Sequence, residues 1–381
     1  MKPRVALVTN IVPPYRLPLF ENVRDRVGQL RVFTSVPTAR SGLWPDEYGT
    51  LDVTVQRLWT ISSVWRHPYA FREPLDVLIP YDTLWQLLRY QPDIVVSTEL
   101  GLRTAQAVLY RRLRPATRLI VWATVSEHTE HARGLARTAL RRWILGRADA
   151  IVVNGESGAR YIRRFGVAER KVWKIPQTHG IAALVSLPLR RGPNDSHRLL
   201  YVGQLIERKG LLPFVSVLSR WAVAHPDRDI EFWLTGKGVL RGALEALPVP
   251  PNVDLRCLGS EQPERLGEVY GQGGIFAFPT IADEWGLVVN EAMAAGLPIL
   301  GSLHSQAVED LVRDGIEGWV FRPNRPDEVY QALDRALSTA PKALDAMRQA
   351  ARDRIQPITP EFVAGRFLQV MEHVRLPTGS Q

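Results

Sequence analysis

The feature that most limits the fold of this chain is a regular alternation of short β-branched runs with segments of helical spacing. Each run has the composition of a buried strand, and each following segment has the apolar spacing of a helix. This alternation predicts parallel sheets with helices on both faces, the α/β class. The predicted strands are 5–9, 94–97, 119–124, 150–154, 199–202, 230–235, 253–258, 274–278 and 298–300.

The length of 381 residues predicts two domains rather than one. The stretch from Ile175 to His197 breaks the alternation and is rich in Pro, Gly and Arg, so we place a linker at 181–197. The N-terminal domain then covers 1–180 and the C-terminal domain 198–359. A last segment of helical spacing, 360–376, is predicted to pack back on the N-terminal domain.

Positive charge is concentrated in the N-terminal half. Residues 1–180 contain 27 Lys and Arg against 15 Asp and Glu, and the whole chain has a formal net charge of +9. Arginine dominates, which favours forked contacts with phosphate or carboxylate groups. No recognisable nucleic-acid-binding module accompanies the charge, so nucleic acid is not a predicted partner. The single cysteine, Cys257, excludes an internal disulfide framework.

Two observations concern the location of the protein. The chain has no apolar run of about eighteen residues, and its first apolar run stops at Pro13-Pro14, so we expect a cytoplasmic protein without a signal peptide. Cations four residues apart, Arg133, Arg137 and Arg141, lie on a helical pattern. Such a helix would suit an anionic membrane surface at the inner face, or it is an ordinary solvated face.

The most informative motif lies between Pro279 and Pro298. The helix predicted from Gly286 to Ala295 is apolar nearly all round and is therefore expected to be buried. A carboxylate inside it, Glu291, requires a partner, either a ribose diol or an arginine.

The beginning of the same helix is a candidate anion site. Backbone N–H groups at Gly286, Leu287 and Val288 and the positive end of the helix dipole suit a diphosphate. The preceding acidic pair, Asp283 and Glu284, either contacts a sugar or caps the helix.

A candidate cation lies upstream. The strand 199–202 is followed by Gly203 and then by Lys209, which could neutralise a diphosphate or be an exposed lysine. The later turn Gly236-Lys-Gly238 has Arg241 where a dinucleotide fingerprint requires glycine, so it is a weak nicotinamide site.

Two loops of the N-terminal domain are candidate acceptor contacts. The first strand is followed by Pro13-Pro14-Tyr15-Arg16, and because prolines lack an N–H this loop cannot cradle a phosphate. It is predicted to shape an acceptor pocket with Pro14, Tyr15 and Arg16.

The second loop contains Glu127, His128 and His131 after strand 119–124. The spacing of its histidines matches no metal-site signature, so no metal is predicted. Glu127 or His128 is expected either to contact the acceptor and stabilise charge, or to lie in a plain surface loop.

These motifs resemble those of the retaining glycosyltransferases of family 4, which have the GT-B fold of two facing Rossmann-like domains. Over residues 1–180 the likeness is looser and rests on Pro13 to Phe20 and the strand pattern. Over about 199–323 it is specific and is carried by the segments Tyr201 to Gly210, Gly236 to Arg241, Gly259, Tyr270, Phe278 to Pro298 and Val308 to Gly318.

The resemblance implies that the second domain binds a nucleoside-diphosphate sugar, with Glu291 at the ribose, Asp283 or Glu284 at the sugar and Lys209 at the phosphates. The donor loops would also include Gly203, Gln204, Arg208, Gly236 and Gly259. Two positions depart from the family: Asp283 replaces the usual glutamate, and Gln204 replaces the usual arginine, with Arg208 as a possible substitute.

The expected function is transfer of a sugar, with retention at the anomeric carbon, to a glycan or lipid-linked acceptor in polysaccharide or glycolipid synthesis. No metal or cofactor is predicted, because fixed positive groups would stabilise the leaving diphosphate. A catalytically idle nucleotide-sugar-binding or scaffold protein is the alternative, and a nicotinamide oxidoreductase is a more distant one. The base, the sugar and the acceptor are not specified by the sequence.

Overall fold

The computed structural model describes residues 1–36, 48–69, 71–131, 134–192, 195–262 and 265–376. The chain divides into two compact units, Met1–Gly180 with Ile358–Gln381, and Ile181–Pro357. Each unit is built on a parallel sheet with helices, which confirms the predicted fold class. The segment predicted as a linker, 181–197, belongs to the second unit and begins with a short helix.

The first unit contains strands that match the predicted ones closely and others that were not predicted. Its large sheet is entirely parallel, in the order β3-β2-β1-β6-β7-β8-β9. Because β1 lies between β2 and β6, the topological switch point is at the carboxyl ends of β1 and β6, where such sheets bind ligands. The strands are β1 (Arg4–Thr9), β2 (Gln29–Thr34), β3 (Asp52–Val55), β4 (Leu58–Arg66), β5 (Arg72–Pro80), β6 (Ile94–Thr98), β7 (Arg118–Ala123), β8 (Ala150–Val153) and β9 (Val172–Lys174).

Strands β4 and β5 form a separate antiparallel hairpin that the sequence analysis missed. The signal for this hairpin in the sequence is the period of two residues, typical of a strand, that relates Trp59, Ile61, Ser63 and Trp65. The side chain of His67 near the tip stacks on Phe71 and bonds the carbonyl of His128, so the tip is attached to the loop after β7.

Helices cover both faces of the first sheet. In the described part of Met1–Gly180 the α-helices are α1 (Leu17–Arg24), α2 (Thr83–Tyr90), α3 (Leu102–Leu113), α4 (Leu135–Leu145) and α5 (Glu156–Arg163). Apolar side chains of α2 to α5 form one core layer with the sheet, and α1 contributes to the layer on the other face.

The second unit has a six-stranded parallel sheet in the order β12-β11-β10-β13-β14-β15. Its strands are β10 (Leu199–Val202), β11 (Ile230–Thr235), β12 (Val253–Gly259), β13 (Ile275–Phe278), β14 (Ile299–Ser302) and β15 (Gly318–Phe321). The helices are α6 (Ala182–Val185), α7 (Leu211–Ala224), α8 (Arg241–Glu245), α9 (Leu266–Gln272), α10 (Leu287–Ala294), α11 (Gln306–Leu311), α12 (Pro326–Ser338) and α13 (Pro341–Ile355). Its switch point lies between β10 and β13, so the loops after these two strands are neighbours.

The last helix, α14 (Pro360–Arg375), returns to the first unit. Thr359 caps it by accepting a hydrogen bond from the Phe362 N–H. Its buried residues, among them Phe367 and Met371, complete the core layer that contains α1, and Phe367 packs edge-on against Trp122. In the described part of the chain no helix is long and apolar enough to cross a membrane.

Candidate active site

The loops after β10 and β11 touch each other backbone to backbone. Gly203 and Gly236 have φ values of +149° and +146°. A Cβ on Gly236 would lie 1.8 Å from the carbonyl oxygen of Gly203, and one on Gly238 would lie 2.2 Å from that of Leu205. The Gly236 N–H donates to the carbonyl of Gly259 at the end of β12. The predicted donor-loop glycines therefore form one continuous backbone surface that side chains would obstruct.

Replacing Gly236 with alanine is expected to lower the free energy of unfolding by about 3 kcal/mol or more, since the Cβ clashes with backbone and the φ value is unfavourable. Chemical denaturation measures this loss. The matched control is Gly242→Ala on α8, where nothing lies within 4 Å of the added Cβ and little change is expected. Equal stability of the two variants would show that the loops do not pack as described.

The centre of the candidate site is an ion pair between Lys209 and Asp283. Lys209 ends a 3-10 turn, Glu207–Lys209, after β10, and Asp283 lies in the loop after β13. The Lys209 Nζ donates to Asp283 Oδ2, and both side chains are nearly buried. Arg208 is close as well, with its Nη1 4.0 Å from the same carboxylate oxygen and bonded to the carbonyl of Ala282.

The two cations determine the charge of Asp283. Burial alone would raise the pKa of the Asp283 carboxyl, but the charges of Lys209 and Arg208 outweigh it and hold the pKa below its usual value. The carboxylate is therefore ionised at neutral pH.

The structure distinguishes the two acidic residues that the sequence left as alternatives. Asp283 is buried beside Lys209, whereas Glu284 is exposed to solvent. The backbone carbonyl of Glu284 accepts a hydrogen bond from the Gln306 side chain, which fixes the loop to α11. Gly286, the N-cap of α10, has no side chain with which to cap the helix, and Asp283 Oδ1 accepts a hydrogen bond of 3.5 Å from the Trp285 N–H just before it.

Helix α10 begins directly beside this ion pair. Gly286 has a φ of +101°, and a Cβ there would lie 2.9 Å from the ring of Phe278 and 3.0 Å from Ser305 Oγ. The Lys209 Nζ lies 5.2 Å from the centroid of the same Phe278 ring. The helix start, with the half-buried Leu287, and the lysine therefore flank one aromatic ring. Val288, the second residue of α10, is also half-buried.

Inside α10, Glu291 has a tyrosine as its hydrogen-bond partner. The Tyr270 hydroxyl donates to Glu291 Oε2 at 2.5 Å. The pKa of Tyr270 is raised well above its usual value, mainly by burial and then by the negative charge of Glu291. The phenol therefore stays protonated and donates the hydrogen bond. Tyr270 is one of the motif residues, but the sequence predicts no role for it, and for Glu291 it predicts only a ribose or an arginine as the partner.

A second buried tyrosine fixes the first donor loop. The Tyr201 hydroxyl donates to the carbonyl of Gln204 at 2.8 Å, and its ring stacks on Phe278. This hydrogen bond fixes the backbone of Gln204. The side chain of Gln204 is exposed to solvent.

In the first unit the predicted acceptor residues lie in two separate environments. Pro14, Tyr15 and Arg16 form a 3-10 turn just after β1, at the switch point of that sheet. The Arg16 guanidinium lies 4.8 Å above the ring of Trp122, so its position is set by a cation–π contact.

Glu127 and His128 are engaged with neighbouring elements. The Glu127 carboxylate pairs with Arg160 at 2.6 Å and with Arg164, and its N–H bonds Ser157 on α5. The His128 carbonyl accepts the hairpin contact from His67. Ion pairs and hydrogen bonds therefore fasten this loop to α5 on one side and to the β4–β5 hairpin on the other.

The cationic stripe predicted on α4 is wrong at one of its three positions. Arg141 is only 2% exposed, because it pairs with the buried Glu130 at 2.6 Å and bonds the Tyr161 hydroxyl. Arg137 is partly exposed, and Arg133 lies outside the described residues.

Comparison with known proteins agrees with the fold and motifs. Residues 196–339 match the family described as glycosyl transferases group 1, and residues 12–177 match the glycosyl transferase 4-like domain. The sulfoquinovosyl transferase of Arabidopsis thaliana is 22% identical over 76% of this chain, which spans 58% of that protein.

Two solved structures share the fold at 13% sequence identity. The Anabaena protein HepE in complex with UDP has a TM-score of 0.71, with 97% of this chain and 100% of that chain covered. A lipopolysaccharide outer core galactosyltransferase, WaaB, in its apo form has a TM-score of 0.71, with 97% and 99% covered. With both of its domains matched and both units superposable on such structures, the chain belongs to the glycosyltransferases of the GT-B fold that combine a 4-like domain with a group 1 domain.

Proposed function

We propose that this protein is a retaining glycosyltransferase that moves a sugar from a nucleoside-diphosphate sugar to a glycan or lipid-linked acceptor, without a metal ion or cofactor. The observation that carries the proposal is the convergence at the β10–β13 switch point. There Lys209, Asp283 and the beginning of α10 surround Phe278. The fixed donors in this group, the Lys209 ammonium and the N–H groups that begin α10, suit a diphosphate.

In the proposed reaction the donor loses its diphosphate without a covalent intermediate on the protein. The bond between the anomeric carbon and the phosphate oxygen breaks, and the acceptor oxygen bonds to the same face of that carbon. The acceptor proton passes to the departing phosphate oxygen. Lys209, Arg208 and the N–H groups at the start of α10 stabilise the charge that develops there.

The carboxylates would orient the rest of the donor. Glu291, held by the Tyr270 hydroxyl, would accept hydrogen bonds from the ribose hydroxyls. Asp283 would accept from a sugar hydroxyl while it keeps Lys209 in place. The exposed Glu284 is the less suitable sugar contact, because it is open to competing water.

Support for a nucleotide-sugar donor comes also from the Anabaena neighbour, which has been solved with UDP-glucose as well as with UDP. A role in polysaccharide or glycolipid synthesis is supported by the likeness to the lipopolysaccharide outer core galactosyltransferase. The acceptor would contact Tyr15 and Arg16 at the β1 end of the first sheet, with Glu127 and His128 supporting that region.

A donor screen tests the proposal. Purified protein is incubated with UDP-, GDP-, ADP-, CDP- and dTDP-sugars, and thermal shift and slow hydrolysis are recorded. We expect one class to raise the melting temperature and to be hydrolysed, with the Lys209→Met variant much reduced in both and Lys342→Met, an exposed lysine on α13, unchanged.

Three outcomes would contradict the proposal. Folded protein that responds to none of the donors would exclude a nucleotide-sugar site. Tight donor binding without turnover, even with lipid and glycan extracts as acceptors, would favour a catalytically idle binding protein. Binding of NADH, followed by its fluorescence, would instead indicate an oxidoreductase.

A further inference from the structure

Outside the candidate active site, the first unit contains a cavity of about 390 Å³ between α4 and α5. Four arginines contribute to its wall, Arg137, Arg141, Arg142 and Arg164. This volume lies within the range of small-molecule sites in proteins. All its lining residues lie between 130 and 165, so it is separate from the donor loops of the second unit.

The floor of the cavity is formed by buried polar side chains that bond to one another. Glu130 and Arg141 have side chains only 4% and 2% exposed, and they pair at 2.6 Å. Arg141 also bonds the Tyr161 hydroxyl, which joins α4 to α5. The Nε of Arg141 is buried and has no hydrogen-bond partner in the described part of the chain. A buried donor left in this state is costly unless a ligand or water satisfies it.

The charges around the cavity do not cancel. Of the residues that line it, four carry a guanidinium group, Arg137, Arg141, Arg142 and Arg164, and one carries a carboxylate, Glu130. Arg142 is exposed on the wall. Burial lowers the pKa of the Arg137 guanidinium from its usual value, and the charge of Glu130 offsets this only in part. This excess of positive charge suits a phosphate monoester, which carries up to two negative charges.

The beginning of α4 adds neutral donors to the same wall. Gly134, the N-cap of this eleven-residue helix, and Leu135 both line the cavity, and glycine has no side chain with which to cap the helix. Free N–H groups and the positive dipole end of a helix favour an anion.

We propose that this cavity is a binding site for a phosphate group, in which Arg137, Arg142 and Arg164 contact the phosphate and the buried Glu130–Arg141 pair holds the wall in place. The proposal does not depend on the sugar-transfer reaction. The phosphate could be carried by a lipid headgroup or by a soluble molecule. The apolar side chains of Leu135 and Phe165 beside the arginines are compatible with both.

Calorimetric titration with inorganic phosphate and with pyrophosphate, in a phosphate-free buffer, tests the soluble source. The background is the double variant Lys209→Met with Asp283→Asn, in which the donor loops have lost their main cation without leaving a buried unpaired carboxylate. We expect saturable binding that Arg142→Gln and Arg137→Gln each weaken about tenfold or more. The matched control is Arg112→Gln, which removes the same charge from the exposed face of α3 and should leave binding unchanged.

Sedimentation with phosphatidylcholine vesicles tests the lipid source. One set contains phosphatidate, a phosphate monoester, and the other contains phosphatidylglycerol adjusted to the same surface potential. If the site accepts a lipid headgroup, the protein prefers the phosphatidate vesicles, and Arg142→Gln removes the preference. Binding in only one of the two experiments identifies the source.

Two results would overturn the proposal. One is the absence of saturable phosphate binding in the folded background variant together with no phosphatidate preference in the folded wild-type protein. The other is an equal loss in Arg112→Gln and Arg142→Gln, which would show general charge attraction rather than a site. Because donor binding is absent from these readouts, neither result bears on the proposed transfer reaction.

Discussion

Replacing Lys209 with methionine is expected to lower kcat for sugar transfer about 100- to 1000-fold, the usual cost of removing one donor that stabilises a developing negative charge. Lys209 is nearly buried, with its ammonium group on Asp283 and beside Phe278, so no mobile surface cation can take its place. Steady-state kinetics with the donor identified by the screen measure the loss. The exposed Lys342→Met serves as the control for loss of a lysine elsewhere.

The single variant leaves Asp283 buried without its main partner, which is itself destabilising. The double variant Lys209→Met with Asp283→Asn removes both charges and separates folding from chemistry. We expect the double variant to regain stability but not turnover. Recovery of kcat together with stability would mean that the pair is structural and that Lys209 has no part in catalysis.

Replacing Glu291 with glutamine is expected to raise the donor KM about 10- to 100-fold with little change in kcat. The amide keeps one acceptor oxygen for the Tyr270 hydroxyl but loses the charge that strengthens hydrogen bonds to ribose hydroxyls. Because the ribose is remote from the breaking bond, ground-state and transition-state binding should weaken together. A fall in kcat with an unchanged KM would contradict this assignment.

A 2′-deoxynucleotide makes the Glu291 test more specific. In the wild-type protein we expect UDP, or the diphosphate of whichever base the screen identifies, to bind more tightly than its 2′-deoxy analogue. In Glu291→Gln this difference in affinity should largely disappear. The variant removes one partner of the hydrogen bond and the 2′-deoxy analogue removes the other, so the second change has little left to remove. Tyr270→Phe should have a smaller effect of the same kind, because it frees Glu291 without removing it.

The second-unit site could be located from the sequence because its parts follow strand ends at short distances along the chain. A run of β-branched residues, then Gly203 and Lys209, places the lysine at the carboxyl end of β10. The apolar helix with one carboxylate places Glu291 one turn inside α10. Local spacing and the rule for parallel sheets were sufficient for these positions.

The partners within that site could not be read from the sequence. Tyr270 and Glu291 are 21 residues apart and lie on two different helices, and Lys209 and Asp283 are 74 apart. Their contacts depend on strand order, which periodicity does not specify. The sequence therefore identified the groups that bear charge but not the Tyr270 hydrogen bond.

The first unit was predicted less completely, for two physical reasons. Its hairpin β4–β5 is antiparallel and stands outside the parallel sheet, so the α/β pattern gave no place for it. Helical spacing put Arg141 on a charged stripe, but the buried Glu130 draws it inward. A pattern of charges along one helix contains no information about a carboxylate on another element.

The most direct measurement is a crystal structure with the nucleoside diphosphate that gives the largest thermal shift in the screen. The account predicts the diphosphate between the Lys209 ammonium group and the N–H groups that begin α10, with the ribose hydroxyls on the Glu291 carboxylate. A diphosphate bound away from both Lys209 and α10, or a ribose that does not reach Glu291, would contradict it.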